Sequence, residues 1–116
     1  MGLSQSKAEH AAEFTVEATV LADVAQDVVR QLGLEVKKVS RETGMISARA
    51  PSFSFHGNRE IILTISKIGN GASRISAVAT AAEGLMTSGR AQHLITQFFG
   101  ALAAHEAMTG KSAVGW

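Results

Sequence analysis

The chain has no cysteine and no tyrosine among its 116 residues. Without cysteine there is no disulfide framework, no thiolate nucleophile and no cysteine-type zinc site. No apolar run approaches the ~20 residues that span a bilayer, and the N-terminus lacks a hydrophobic signal core. The expected compartment is cytoplasmic. Neither sign of charge dominates: eleven Lys and Arg face ten Asp and Glu, leaving a net charge of +1. A nucleic-acid partner ordinarily asks for a basic excess, so this balance argues against one. Aromatics are scarce, with five Phe and one Trp, which leaves few rings for stacking on bases. What remains is an apolar fraction of 46%, enough for a single two-layer core.

The clearest positive signal runs from Arg59 to Thr80. Two runs rich in Ile and Val flank Asn70-Gly71, a pair that supplies the positive-φ residues of a type I′ hairpin turn. Ile61, Leu63 and Ile65 share one face of the first strand with Ile75, Ala77 and Ala79 of the second. Ile62, Thr64, Ser66, Arg74, Ser76, Val78 and Thr80 occupy the other face.

Around this hairpin the periodicities predict the remaining elements. Residues 1–11 form a flexible arm, 12–109 a single domain and 110–116 a flexible tail. Glu13–Glu17 alternates as a short strand. Thr19 then caps an amphipathic helix over Val20–Leu32, with Asp23 and Asp27 near its start and Gly33 as its terminator. Leu34–Glu42 is a strand whose alternation breaks at Lys37-Lys38, which predicts a bulge or a strand end there. Thr43-Gly44 turns into a strand over Met45–Ala50, which Pro51 ends. Ser52–Asn58 is an irregular loop carrying Phe53, Phe55 and His56. Ser88 caps a last helix over Gly89–Met108, whose apolar stripe is Ala91, Leu94, Ile95, Phe98 and Leu102. The fold class is α+β in the order β-α-β-β-β-β-α, a mainly antiparallel five-stranded sheet with two helices on one face. Phe14, Val16, Val24, Val28, Ile46, Leu63, Ile65, Ile75, Leu94, Phe98 and Leu102 are the expected core.

Three motifs in this order carry a family likeness: Gly57-Asn58-Arg59 entering a strand, the Asn70-Gly71 turn, and Gly89-Arg90 opening the last helix. Over residues 13–104 the chain resembles a group of small, uncharacterised bacterial domains of β-α-β4-α form, some of them lipoproteins. His56 stands where that group carries a loop Trp, and there is no lipobox cysteine. The resemblance implies the same fold, a bacterial source and a non-enzymatic role.

Several patterns imitate chemistry without completing it. Thr109-Gly110-Lys111-Ser112 matches the end of a phosphate-binding loop, but His105 stands where its first Gly is required and a helix precedes it. His105-Glu106 begins a helical zinc motif whose second His is replaced by Thr109. His10, His56, His93 and His105 form no pair at ligand spacing, so no metal ligand, cofactor or catalytic residue is assigned. Met1-Gly2 with Ser6 and Lys7 fits the N-myristoylation pattern, which acts at Gly2 only in a eukaryotic host.

The leading reading is a non-enzymatic binding or interaction module for a protein or small hydrophobic ligand. Its candidate surface comprises Phe53, Phe55, His56, Arg49 and Arg74, beside the hydroxyl-rich sheet face. A small-molecule or lipid cavity between sheet and last helix is the alternative, because Ala-rich strand positions leave room. An enzyme of unassigned class comes third and requires His56, Glu83 and a Ser to meet. Opposite the stripe of the last helix, Thr96, Gly100, Ala103, Ala104 and Ala107 present a smooth ridge, which predicts a homodimer through that helix.

Overall fold

The computed structural model describes residues 5–51, 58–82, 89–105 and 108. In chain order they form β1 (Gln5–Phe14), α1 (Ala18–Gln31), β2 (Glu35–Ser40), β3 (Met45–Arg49), β4 (Arg59–Gly69), β5 (Ala72–Ala82) and α2 (Arg90–Ala104). The strands lie in the order β1-β5-β4-β3-β2, and every neighbouring pair is antiparallel. The α+β class, the five strands and the two helices on one face are as expected. The sheet is open, with β1 and β2 at its edges, so the β1–α1–β2 connection crosses its whole width.

One sheet face is buried under the helices. Ile46 and Ala48 of β3, Ile61 and Leu63 of β4, and Ile75, Ala77, Ala79 and Ala81 of β5 are all buried there. Leu21, Val24, Ala25, Val28 and Val29 meet them from α1, and Ala91, Leu94, Ile95, Phe98 and Leu102 from α2. Each large side chain removed from water in this layer contributes roughly 1.5–3 kcal/mol. Of the expected core residues only Phe14 is partly exposed, packing at the margin.

Four local expectations need correction. First, β1 starts at Gln5 and ends at Phe14, so most of the expected arm is an edge strand paired with β5 from Gln5↔Ala82 to Phe14↔Ser73. Backbone hydrogen bonds along β5 order this segment despite its weak apolar pattern. Second, the hairpin turn is not type I′, because Gly71 has φ +68° while no non-Gly residue has positive φ. The register shift between Lys67 and Gly69 absorbs the difference, as in bulged hairpin loops.

Third, α1 begins at Ala18, one residue before Thr19, and its N-cap is Glu17 without a side-chain cap bond. Its first turn therefore holds no acidic residue, Asp23 and Asp27 lying further along. The Glu17 carboxylate is engaged elsewhere, accepting the Gly71 N–H at 2.8 Å across the corner of the domain. Fourth, α2 opens at Arg90 behind Gly89, whose φ is +71°. The Ser6 hydroxyl of β1 accepts the Ala91 N–H at 3.0 Å, so a residue from the far end of the chain acts as the cap. Ser88, the expected cap, lies outside the described residues.

The bulge in β2 falls at the predicted place, between Val36 and Lys38. Gly33 ends α1 with φ +83°. Gly44 sits at φ +72° in the β2–β3 turn, where an added Cβ would run into the Ile65 carbonyl oxygen. That turn is locked by the Ile65 N–H donating to the Gly44 carbonyl at 2.8 Å.

Candidate functional site

The outer sheet face carries the hydroxyls and charges expected of it. Arg74 is exposed and pairs with Glu13 of β1, Nη1 to Oε2 at 3.2 Å. Arg49 lies between Glu35 and Glu60 in the strand register. Cross-strand acids thus accompany both arginines, and opposite charges facing each other stabilise the sheet by only a few tenths of a kcal/mol to about 1 kcal/mol. Phe53, Phe55 and His56 lie outside the described residues, as do Glu83 and Ala107. Thr96, Gly100, Ala103 and Ala104 are exposed on α2.

The histidines have separate environments. His10 projects from β1 onto Phe99 in an edge-on contact with ring centroids 4.6 Å apart. His105, just past α2, is largely buried and sits 3.6 Å from the Asp27 carboxylate of α1. Among the described residues no three His, Asp or Glu side chains converge to hold a metal ion. No described helix is long and apolar enough to cross a membrane.

Two concavities stand at opposite ends of α1. The larger is a groove of about 780 Å³ between the N-terminal half of α1 and the β2–β3 hairpin. Its floor is apolar, formed by Ala18, Ala22, Ile46 and Ile65, and Asp23, Gln26 and Arg41 line it with polar atoms. Small residues at Ala18 and Ala22 keep the helix from filling the space, while Val39 remains 45% exposed at the rim. The expected cavity between sheet and last helix does not coincide with this groove. There Leu94, Phe98 and Leu102 are fully packed above Ala77 and Ala79.

The smaller concavity, about 350 Å³, lies where the end of α1 meets the start of β4 and of α2. Gln31, Arg59, Arg90, His93 and Gln97 supply its polar lining. Arg59 sits on the helix-side face of β4, and its Nε is buried with no hydrogen-bond acceptor among the described residues. Burial, and secondarily the charge of Arg90, holds the Arg59 guanidinium below the usual arginine range. Arg90 donates from Nη1 to the Ala82 carbonyl at 3.3 Å. Neither Arg59 nor Arg90 stood among the candidate site residues. Gly57-Asn58-Arg59 and Gly89-Arg90 were visible as motifs, but nothing local says that the two side chains meet.

No family model and no curated protein sequence matches the chain. Solved structures do resemble it. An HSP90 activator from Plasmodium falciparum aligns with TM-score 0.63 at 11% identity, covering 94% of this chain and 97% of its own. Ara h 8.0201 aligns with TM-score 0.59 at 9% identity, over 87% of this chain and 97% of that one. Norcoclaurine synthase from Thalictrum flavum, solved with dopamine and hydroxybenzaldehyde, gives 0.55 at 9% identity, over 88% and 86%. At these identities the likeness is one of fold alone.

Proposed function

We propose that the chain is a small-molecule-binding domain whose ligand occupies the groove between α1 and the β2–β3 hairpin. The observation that carries this reading is the groove itself. Its volume of about 780 Å³ falls within the ~300–1,000 Å³ usual for ligand sites. An apolar floor with a few polar groups at one side suits an amphipathic ligand, with its apolar body on Ala22, Ile46 and Ile65 and its polar end toward Asp23, Gln26 and Arg41. The fold likeness to norcoclaurine synthase, solved holding dopamine and hydroxybenzaldehyde, supports a small-molecule role.

The test is a thermal-shift screen of small amphipathic compounds against the intact chain and Ala22→Trp. A ligand present at 100 times its Kd stabilises by about 2.7 kcal/mol, which is on the order of 10 °C for a domain of this size. Ala22→Trp fills the groove and should abolish that shift while still melting cooperatively. A hit whose shift survives Ala22→Trp unchanged would place the ligand elsewhere, and a screen without hits would remove the reading.

A further inference from the structure

We propose that the outer edge of β1 is a self-association site, where a second copy of this chain adds its own β1 in antiparallel register and continues the sheet. The two edges of the sheet are built differently. β2 is six residues long, carries a register shift between Val36 and Lys38, and exposes Lys37 and Lys38. A short strand, a bulge and exposed lysines are the devices that keep an edge from pairing. β1 has ten residues, contains no proline, and follows β5 without a shift from Gln5↔Ala82 to Phe14↔Ser73. No described strand pairs with its other side, so alternate backbone N–H and C=O groups point outward along it. Its start is also held in place. The Ser6 hydroxyl accepts the Ala91 N–H at 3.0 Å and donates to the Ala81 carbonyl at 3.5 Å. A straight, fastened strand presents its edge with little ordering left to do.

The side chains select a second copy as the occupant. On the outer sheet face β1 carries Lys7 and Glu9, both exposed, and they meet only loosely along their own strand, at 3.9 Å. Such an exposed pair contributes little to the monomer. A two-fold axis through Ala8, normal to the sheet, sets Lys7 opposite the second copy's Glu9, and Glu9 opposite its Lys7. Opposite charges directly across a strand pair stabilise it, and like charges oppose it. Other registers lose this match. An axis through Lys7 or through Glu9 sets like charges face to face. An axis through His10 sets Lys7 against Glu13, which Arg74 already holds at 3.2 Å, and leaves Glu9 opposite Ala11. Registers between these would oppose an inward side chain to an outward one, against the pleat.

The same axis brings the two α2 helices side by side. α2 packs on β1 and β5 alike, so its axis runs half a strand spacing inside β1, and the two-fold axis lies half a spacing outside. With strands ~4.8 Å apart, the two helix axes stand ~10 Å from each other, within the range of helix–helix packing. The flank of α2 turned to that edge is marked by Phe99, whose ring centroid lies 4.6 Å from that of His10 on β1. Gln92, Thr96 and Ala103 share this flank at helical spacing and are exposed. None of the four is charged, so a second α2 approaches without desolvating an ion. The opposite flank, with His93 and Gln97, faces α1 instead.

Sedimentation equilibrium of the intact chain from ~1 to ~100 μM reads the association. The expected result is a reversible monomer–dimer equilibrium. Lys7→Glu and Glu9→Lys each set like charges together twice across the axis and should weaken the dimer at least ~10-fold, while Lys7→Glu combined with Glu9→Lys restores it. Both side chains are exposed, so the melting temperature of the dilute variants should stay with the parent's. Hydrogen exchange reads the edge itself: alternate amides of Gln5–Ala11 should be protected in the dimer and exchange on dilution. Ala22→Trp, in the groove by the far edge, should leave the dimer unchanged, so the two sites stand or fall separately. A chain that stays monomeric at ~100 μM leaves the edge to a foreign strand or to water, and overturns the proposal. A dimer that survives the single charge reversals, that the double exchange fails to restore, or whose β1 amides exchange as in the monomer overturns it as well.

Discussion

Ser73 is, among the described residues, the only polar residue fully buried in the core. Its hydroxyl donates to the Val16 carbonyl at 2.8 Å, fastening the start of β5 to the β1–α1 corner. Ser73→Ala removes the donor without adding bulk. A typical hydrogen bond contributes about 1 kcal/mol net, and leaving a buried carbonyl short of its partner raises the cost to ~1–3 kcal/mol. Val16 is only 3% exposed, so water cannot readily replace the lost donor. The value is a sizeable share of the ~5–15 kcal/mol that holds a domain folded. At about 4 °C per kcal/mol the melting temperature should fall by roughly 4–12 °C. Equilibrium urea unfolding reads the free energy directly, with an unchanged m-value showing that the unfolded state is unaltered. Ser76→Ala, on the outer face of the same strand, is the control and should stay within ~0.5 kcal/mol of the parent. Glu17→Gln loosens the same corner at the Gly71 N–H, so the double variant should depart from additivity. A Ser73→Ala chain within ~0.5 kcal/mol of the parent would refute the reasoning, because the Val16 carbonyl would then have another donor.

Two glycine substitutions test space and backbone conformation separately. Gly33 and Gly44 both have positive φ, but only at Gly44 does an added Cβ meet backbone. Gly33→Ala should therefore cost about 1–2 kcal/mol and Gly44→Ala clearly more, and the reverse order in urea unfolding would contradict the geometry of the β2–β3 turn. Gly100 lies inside α2 at ordinary helical φ with open space around a Cβ. Gly100→Ala should stabilise the monomer by about 0.5–1 kcal/mol; a loss of stability, with a drop in sedimenting mass, would mean that a second copy packs on that helix.

Local pattern determined most of the elements, because periodicity is written into neighbouring residues. The 3.6-residue stripe of α1, the alternation of β4 and β5, and the terminators Gly33 and Gly44 were all readable from the chain. The position of the β4–β5 hairpin was readable too, although its turn type was not: strand register, a property of two chains of residues at once, selected a bulged loop over type I′. β1 escaped for a different reason. Its inward positions are Ser6, Ala8, His10, Ala12 and Phe14, mostly small or polar, so hydrophobic alternation is faint. Small side chains suit an edge strand lying under α2, and pairing with β5 supplies the order that its own sequence does not. The caps show the same limit. Thr19 and Ser88 satisfy a local rule, but Glu17 reached across to Gly71 and Ser6 across to Ala91. The groove likewise depends on which helix residues are small where α1 crosses β3 and β4. Arg59 and Arg90 begin different elements, and only the antiparallel return of β4 along β5 sets both at one end of the helical layer. Side-chain chemistry is local, whereas the convergence of charges is a matter of topology, and it was the tertiary structure that decided it.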